Sequence, residues 1–285
     1  LNMDSIGSYK KKIAQALSEK INLTLREAEL EAQFIMQHVL KESPSNLIIK
    51  KNEIVLKKDI STIENIIRQR LDDLPLAYIL KEWDFYGHTF QVSRDTLIPR
   101  QDTELLIDII LQNYDLNSPL KILDLGTGTG IIGITLAKNF KKSNVLLTDI
   151  SIKAIEVAKK NIEANCLQNI HCVHSNWFEN IDNLVFDIIV SNPPYISIED
   201  PHLKQPELTK QPQVALVSHD EGLQDIRTIV GNASEYLSKT GMLLIENGYN
   251  QANKVKQIFT DNKFNQIEQH KDINNKIRVT VGVKI

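Results

Sequence analysis

Residues 121–130 read KILDLGTGTG, an apolar run that passes directly into a turn with three glycines. A compact apolar run bounded by a turn is typical of a buried strand. Glycine allows the backbone to adopt positive φ and to approach a ligand closely. Because a helical pattern follows, the segment predicts a ligand site at the carboxyl end of a parallel strand. The alternative is a tight strand–helix turn that binds no ligand.

Strands and helices alternate from this segment onward. With helices between them, we predict strands at residues 121–125, 145–150, 170–173, 185–191 and 241–246. This alternation implies parallel strands joined by right-handed crossovers. Two further predicted strands, 264–270 and 277–284, are joined by a polar turn without a helix. The expected fold class is α/β, with a doubly wound, Rossmann-like sheet that ends in an antiparallel hairpin.

The first part of the chain has a helical pattern instead. Between residues 4 and 72, apolar residues recur at helical spacing. Thr24 followed by Glu27 forms a capping-box pattern that opens the second helix. Ser43-Pro44-Ser45 ends that helix, and residues 61–71 predict one more helix before Pro75.

A short linker joins the two parts. Aromatic residues around Gly87 predict a β-hairpin at 82–92, and residues 103–111 predict a helix. We therefore divide the chain into an N-terminal all-α domain, a hairpin-and-helix linker and an α/β domain, with the bounds 1–78, 79–118 and 119–285.

The composition is that of a water-soluble globular protein, with 42% hydrophobic and 24% charged residues. No apolar run approaches the roughly 20 residues that cross a bilayer, and the N-terminus lacks a signal-peptide pattern. Cys166 and Cys172 are too few for a disulfide framework, so we expect reduced thiols and a cytoplasmic location. The chain begins Leu1-Asn2-Met3, and we expect its natural start at Met3.

Charge and histidine spacing argue against two classes of function. Lys and Arg number 33 against 36 Asp and Glu, a net charge of −3, which disfavours direct binding of nucleic acid over a large surface. The 7 histidines show no metal-ligand spacing, and we expect no metal. We also expect no membrane partner.

Asp149 ends the second predicted strand, 23 residues after Gly126. An acidic residue about 20 residues beyond a glycine-rich turn is suited to bind both hydroxyls of a ribose. Turn and acid together predict a cofactor that contains a nucleoside. They do not distinguish S-adenosylmethionine from NAD, because Gly133 completes the spacing of glycines that is typical of dinucleotide-binding sites. The alternative for Asp149 is a role as N-cap of the next helix.

The turn Asn192-Pro193-Pro194-Tyr195 follows the fourth predicted strand. Two prolines fix φ and remove two N–H donors, so the turn presents carbonyl oxygens, and Asn192 adds a side-chain carbonyl. Such an acceptor-rich pocket suits an NH₂ group, which has two hydrogens to donate. Beside a nucleoside site, it indicates a methyltransferase that acts on a planar NH₂ nitrogen. The alternative is a structural Pro-Pro turn.

A planar NH₂ nitrogen needs such a pocket because its lone pair is delocalised into the neighbouring π system, as in a peptide bond. Acceptors on both hydrogens favour a more pyramidal nitrogen and aim its lone pair at the methyl group of the sulfonium. They also stabilise positive charge that develops on nitrogen. No strong general base is required, since the methylated nitrogen is acidic. We expect Tyr195 to pack on the flat face of the target group.

These motifs together resemble the HemK/PrmC-type glutamine methyltransferases of peptide chain release factors. The Asn192–Tyr195 motif alone is shared with nucleic-acid amino methyltransferases, whereas its combination with Leu97–Arg100 and Asp102–Glu104 is much more specific. The resemblance covers nearly the whole chain, and the matching segments are 75–78 (PLAY), 97–100 (LIPR), 102–104 (DTE), 123–130, 175–178 (SNWF), 192–195 (NPPY), 200–202 (DPH), 215–216, 222–223 and 278–280 (RVT).

The resemblance implies a seven-stranded methyltransferase sheet behind a small helical domain that docks the release factor. It implies that S-adenosylmethionine is the methyl donor and S-adenosylhomocysteine the product. Asp149 would bind the ribose, Asn176 and Trp177 would lie at the adenine, and the methionine part would lie on Gly126, Thr127, Gly128, Thr129 and Gly130. The target amide would be held by the motif Asn192, Pro193, Pro194 and Tyr195, of which Asn192 would also contact the cofactor.

The implied acceptor is the N5 nitrogen of the glutamine in the Gly-Gly-Gln loop of class-1 release factors. The alternative is an exocyclic NH₂ of a nucleic-acid base, either rRNA guanine or DNA adenine. The sequence departs from the family's pattern outside the glycine turn and the NPPY motif. We expect these departures to affect partner docking more than chemistry, and they lie at Asp73, Lys81, Trp83, Asp84, Gln101, Asn176 and Gln211.

Overall fold

The structure is a computed structural model that describes residues 4–21, 23–181 and 184–284. It contains two compact units, of which the first ends at Lys81 and the second begins at Glu82. The expected chain start at Met3 lies outside the described residues. The domain bounds at residues 78 and 118 stay predictions.

The first unit consists of helices around an apolar core. They are α1 (Ile6–Ile21), α2 (Leu25–Leu40), α3 (Pro44–Ile49), α4 (Lys57–Leu71) and α5 (Leu76–Leu80). The predicted capping box is confirmed, because the Glu27 backbone N–H donates to Thr24 Oγ1 at 3.3 Å and the Thr24 N–H donates to Glu27 Oε2 at 2.8 Å. The core is formed mainly by Ile13, Leu17, Ala28, Ala32, Ile35, Met36 and Ile63.

Proline positions explain why two of these helices were not predicted. Pro44 and Pro75 were interpreted as breakers, yet α3 begins at Pro44 with Ser43 as its N-cap, and α5 begins directly after Pro75. Proline is tolerated at a helix start, where its missing N–H has no intrahelical partner to lose. Helix α4 also begins at Lys57, four residues before the predicted start.

The second unit opens with the predicted hairpin, which is confirmed. Strands β1 (Glu82–Phe85) and β2 (His88–Gln91) pair antiparallel. Tyr86 and Gly87 both have positive φ, 49° and 71°, as a two-residue hairpin turn of type I′ requires. A 3₁₀ turn at Gln101–Thr103 then leads into helix α6 (Glu104–Asn113).

Seven strands form the central sheet, which confirms the predicted fold class. They are β3 (Lys121–Leu125), β4 (Asn144–Asp149), β5 (Ile170–His174), β6 (Phe186–Ser191), β9 (Leu237–Glu246), β10 (Asn265–Lys271) and β11 (Ile277–Val283). Their order is β10-β11-β9-β6-β3-β4-β5. The strands from β9 to β5 are parallel, and β10 and β11 form the predicted antiparallel hairpin.

Further helices follow α6 along the chain, and a short strand pair lies outside the sheet. The helices are α7 (Ile131–Asn139), α8 (Ile152–Ala164), α9 (Pro206–Thr209), α10 (His219–Gly222), α11 (Gln224–Tyr236) and α12 (Ala252–Asp261). Strands β7 (Ile196–Ser197) and β8 (Val217–Ser218) pair parallel to each other and were too short to predict. Strand β9 begins four residues before its predicted start, because the polar residues 238–240 hid its first half.

The topology places a switch point between β3 and β6. The chain runs outward from β3 through β4 to β5, then returns to β6 on the other side of β3. Leu125 and Ser191, the last residues of β3 and β6, are register partners, and Ser191 Oγ donates to the Leu125 carbonyl at 2.7 Å. The glycine turn and the Asn192 turn therefore start side by side, where such sheets bind ligands.

Both faces of the sheet are covered by apolar residues, as a parallel sheet requires. Ile122 belongs to the cluster on one face, and Leu123 and Leu125 belong to the cluster on the other. A Cβ added at Gly133 would lie 2.0 Å from Leu147 Cδ2. Gly133, which completes the dinucleotide-type spacing, therefore serves the close approach of α7 to the sheet.

Candidate active site

A cavity of about 180 Å³ lies at the carboxyl ends of the central strands. Six of the predicted cofactor residues line it: Gly126, Gly128, Asp149, Asn176, Trp177 and Asn192. Among the described residues, Thr127, Thr129 and Gly130 do not line it. The roles of all nine residues stay predictions.

The glycine turn has the conformation for which its glycines are needed. Gly126, Gly128 and Gly130 have φ values of 68°, 56° and 84°. These values lie in the left-handed region, which residues with a Cβ rarely adopt. A Cβ at Gly126 would also lie 3.3 Å from the Trp177 ring. The turn thus brings backbone and indole together on one wall of the cavity.

Asp149 is held in place by two backbone donors. The Gly128 N–H donates to its Oδ2 and the Ser151 N–H to its Oδ1, both at 2.8 Å. Burial raises the pKa of Asp149, and these hydrogen bonds oppose that effect. Ser151, whose Oγ accepts from the Ala154 N–H, is the N-cap of α8. The alternative of Asp149 as N-cap is therefore wrong.

The two threonines of the turn point into the protein. Thr127 Oγ1 donates to Asp124 Oδ2 at 2.6 Å, and the Gly133 N–H donates to the same oxygen at 3.0 Å. Asp124 is fully buried, and burial raises its pKa to about 6. The sequence predicts a place for Asp124 in a strand but no role at the site. The signal that could have indicated this role is its position two residues before the glycine turn.

Asn161 of α8 is a second residue that sequence reasoning missed. Its Oδ1 accepts from the Gln91 N–H at 2.7 Å, and its Nδ2 donates to the carbonyls of Gln91 and Thr129 at 3.0 and 2.9 Å. One buried amide therefore ties the hairpin to the glycine turn. A single asparagine in a helix gives no signal of this role.

The NPPY turn is connected to a buried carboxylate. Asn192 Nδ2 donates to Thr103 Oγ1 at 3.0 Å, and Thr103 Oγ1 donates to Glu246 Oε2 at 2.7 Å. Tyr195 OH donates to Glu246 Oε1 at 3.1 Å. Gln251 Nε2 donates to the Tyr195 carbonyl at 2.8 Å and fixes the far end of the turn.

Thr103 and Glu246 are both nearly inaccessible, with exposed fractions of 1% and 0%. Burial raises the pKa of Glu246, while the hydrogen bonds from Thr103 and Tyr195 and the charge of Arg100 favour its ionised form. Burial also raises the pKa of the Tyr195 hydroxyl well above its usual value, so this hydroxyl keeps its proton. Glu246 ends an apolar strand, and no local sequence pattern predicted this role.

Asn192 lies between two cavities. It lines the larger one together with Pro194. It also lines a smaller neighbouring cavity with Pro193, Tyr195 and Arg100. Asn192 therefore borders both spaces, and a group in the smaller cavity would be next to a group in the larger one.

Two of the departures from the family's pattern lie near the site. Asn176 Nδ2 donates to Glu179 Oε1 at 2.7 Å, so its carbonyl is the end left for a ligand. Gln211 Oε1 accepts from the Ile98 N–H at 3.1 Å and fixes the LIPR segment.

Three further properties concern metal ligands, membrane spans and cysteines. Across residues 4–21, 23–181 and 184–284, no group of three or more His, Cys, Asp or Glu could hold a metal ion. Within the same ranges, no helix has both the length and the apolar character needed to span a membrane. Cys166 and Cys172 are free thiols.

Two protein families match the chain. Residues 11–80 match the PrmC N-terminal domain, and residues 101–211 match the methyltransferase small domain. The release factor glutamine methyltransferase of Haemophilus influenzae is 37% identical over 290 residues, which cover 96% of this chain and 98% of the relative.

Longer relatives match as well. The bifunctional methyltransferase of Rickettsia typhi is 38% identical over 94% of this chain but only 56% of the relative. The chain spans about half the length of the bifunctional relatives that it matches. A 16S rRNA methyltransferase of T. thermophilus, whose structure was solved with AdoMet and guanosine, has the same fold. The TM-score is 0.52 at 19% sequence identity, and the match covers 72% of this chain and 50% of that chain.

The buried carboxyl of Asp124 predicts a pH dependence of stability. Its pKa of about 6 exceeds the usual 3.8, so the folded protein holds the proton more tightly than the unfolded chain. Its contribution to stability is therefore greatest below pH 3.8 and is lost as the pH rises through 6. Asp124→Asn cannot ionise and keeps an oxygen for Thr127 and Gly133.

Between about pH 4.5 and 7.5, we expect the variant's free energy of unfolding to rise by about 2 kcal/mol relative to the unsubstituted protein. Urea unfolding of the cofactor-free proteins at both pH values measures this change. The comparison uses the difference in unfolding free energy between the two pH values. Any effect of the new amide on stability that does not depend on pH therefore cancels. Parallel pH profiles of the two proteins would contradict the prediction.

Proposed function

The chain belongs to the family of release factor glutamine methyltransferases, and from this premise we propose that it methylates the N5 nitrogen of the glutamine in the Gly-Gly-Gln loop of class-1 release factors. One observation carries the proposal. The Asn192 turn and the glycine turn start from paired strand ends, so the cavity bordered by Asn192, Pro193 and Tyr195 lies directly beside the larger cavity at the glycine turn.

We infer that the larger cavity holds S-adenosylmethionine, which supplies an electrophilic methyl group on a sulfonium. The methionine part would lie on the turn Gly126–Gly130, the ribose at Asp149, and the adenine between Asn176 and Trp177. The fit is supported by the Asp149 carboxylate, which is oriented by two N–H groups and borders the cavity. The same fold binds AdoMet in the T. thermophilus 16S rRNA methyltransferase.

The smaller cavity has a volume of about 10 Å³, room for about one water-sized group, so we assign to it only the NH₂ end of the target amide. Asn192 Oδ1 and the Pro193 carbonyl would accept its two hydrogens, and Tyr195 would pack on its flat face. Acceptors on both hydrogens localise the nitrogen lone pair and stabilise positive charge that develops during transfer. Placement of the nitrogen next to the methyl group supplies much of the remaining acceleration. The proton lost from the methylated nitrogen leaves after transfer, so no strong base is required.

A release factor needs more contact than its loop tip can give. Specific protein complexes usually bury about 1,200–2,000 Å². The helical unit that ends at Lys81 matches the PrmC N-terminal domain, and we assign the docking of the partner to it. Reduced Cys166 and Cys172 fit a cytoplasmic location, where release factors act.

Asp149→Ala should weaken binding of S-adenosylmethionine by about 2–4 kcal/mol, because two ribose hydroxyls lose charge-assisted hydrogen bonds worth about 1.5–3 kcal/mol each. Isothermal titration calorimetry measures this change. Asp95→Ala is a matched control, since Asp95 also borders the cavity but carries no proposed ribose contact. Equal affinity in Asp149→Ala and the unsubstituted protein would refute the ribose role.

The unsubstituted protein should add one methyl group to the glutamine of the Gly-Gly-Gln loop, located by peptide mass spectrometry. Asn192→Ala should lower turnover by about 10²-fold or more, because one of two acceptors on the amide is lost. Its affinity for S-adenosylmethionine should fall far less. A variant with near-normal turnover would remove the role of Asn192, and transfer to ribosomal RNA in place of the release factor would favour the nucleic-acid alternative.

A chain that begins at Glu82 should bind S-adenosylmethionine yet lose most of its activity on intact release factor, because it lacks the helical unit. Calorimetry and labelled-methyl transfer measure the two properties. A short peptide that carries the Gly-Gly-Gln loop is the control acceptor, and its weak methylation should be the same with both chains. Equal activity of both chains on intact release factor would show that the helical unit does not dock it.

A further inference from the structure

A chain of hydrogen bonds leads from the side-chain amide of Asn192 into the protein interior. It runs from Asn192 Nδ2 to Thr103 Oγ1 and from Thr103 Oγ1 to Glu246 Oε2, at 3.0 and 2.7 Å. These three residues come from the NPPY turn, the 3₁₀ turn before α6, and the end of β9. They are 89 and 143 residues apart in the sequence.

With Glu246 ionised, the number of available hydrogens fixes the direction of this chain. Burial opposes the ionised form, but the hydrogen bonds from Thr103 and Tyr195 and the charge of Arg100 favour it. An ionised carboxylate only accepts, and a threonine hydroxyl has a single hydrogen. Tyr195 OH donates to the other carboxylate oxygen, so Glu246 is an acceptor on both sides. The Thr103 hydrogen is therefore committed to Glu246, and its oxygen can only accept from Asn192. The NH₂ end of Asn192 must face Thr103.

The orientation matters because the two ends of an asparagine amide have similar shape and opposite hydrogen-bonding character. With its NH₂ on Thr103, Asn192 turns its carbonyl oxygen away from the interior. A reversed amide would present donor hydrogens to a target that is itself a donor. Such a pair repels and leaves a buried donor unsatisfied.

We propose that Glu246, acting through Thr103, is a positioning device that holds the Asn192 carbonyl toward the NH₂ group to be methylated. The inference rests on the proposed function and deepens it. Neither Thr103 nor Glu246 touches the reacting atoms in this scheme. Their effect reaches the reaction through the orientation of one amide, so it should be seen in turnover and not in cofactor affinity.

Three substitutions test this device. Thr103→Val keeps the side-chain shape and removes the hydroxyl, and its kcat should fall about tenfold or more, while the Kd for S-adenosylmethionine changes less than about twofold. Thr103→Ser restores the hydroxyl and should keep kcat within about threefold of the unsubstituted enzyme. In Glu246→Gln, the new side-chain NH₂ can donate to Thr103 Oγ1. The threonine hydrogen is then free to turn toward Asn192, so kcat should fall in this variant too.

The control for burial is Thr135→Val in α7. Thr135 is fully buried, and its hydroxyl has no hydrogen-bond partner within the described residues. This variant should keep its kcat. Thermal unfolding confirms that each variant is folded at the assay temperature. Normal kcat in folded Thr103→Val would overturn the proposal, as would an equal loss of kcat in Thr103→Ser and Thr103→Val.

A readout independent of activity separates this inference from the proposed function. In the ¹⁵N–¹H spectrum, the side-chain NH₂ of Asn192 should show one hydrogen-bonded proton, whose downfield shift is lost in Thr103→Val and kept in Thr103→Ser. If the unsubstituted protein methylates neither release factor nor ribosomal RNA, the proposed function fails. An unchanged Asn192 signal in Thr103→Val would overturn the positioning device whatever the activity.

Discussion

The pairing of β3 with β6 at the centre of the sheet is the constraint on which the site depends. Leu125 and Ser191 end these strands in register, and a hydrogen bond from Ser191 Oγ to the Leu125 carbonyl joins them. The next residues, Gly126 and Asn192, open the glycine turn and the Asn192 turn. Because the strand order reverses here, no crossover covers this edge, and both turns face the same space.

Three carboxylates join the segments at this edge of the sheet: Asp124 and Glu246, which are buried, and Asp149, which is partly buried. Charged groups are costly to bury unless hydrogen bonds satisfy them. Each accepts two hydrogen bonds from hydroxyl or backbone N–H groups of the surrounding segments. Together they hold the glycine turn, the ribose-type pocket and the Asn192 turn, which links the stability of the fold to the geometry of the site.

Local sequence patterns predicted most of the fold and the contiguous parts of the site. The seven strands, the terminal hairpin and the two functional turns each carry their signal within about ten residues. Asn161, Thr103 and Glu246 carry no such signal, because their partners lie 70 to 143 residues away and meet them only in the folded protein. The start of β9 and helices α3 and α5 were missed because polar residues or prolines stand at their beginnings.

The central claim is that Asn192 and Pro193 accept the two hydrogens of a glutamine amide beside the methyl donor. A crystal structure with S-adenosylhomocysteine and a peptide that carries the Gly-Gly-Gln loop tests it most directly. We predict the glutamine nitrogen at about 3 Å from both Asn192 Oδ1 and the Pro193 carbonyl oxygen, with Asn192 Nδ2 still on Thr103. A glutamine side chain bound away from these two oxygens would contradict the account.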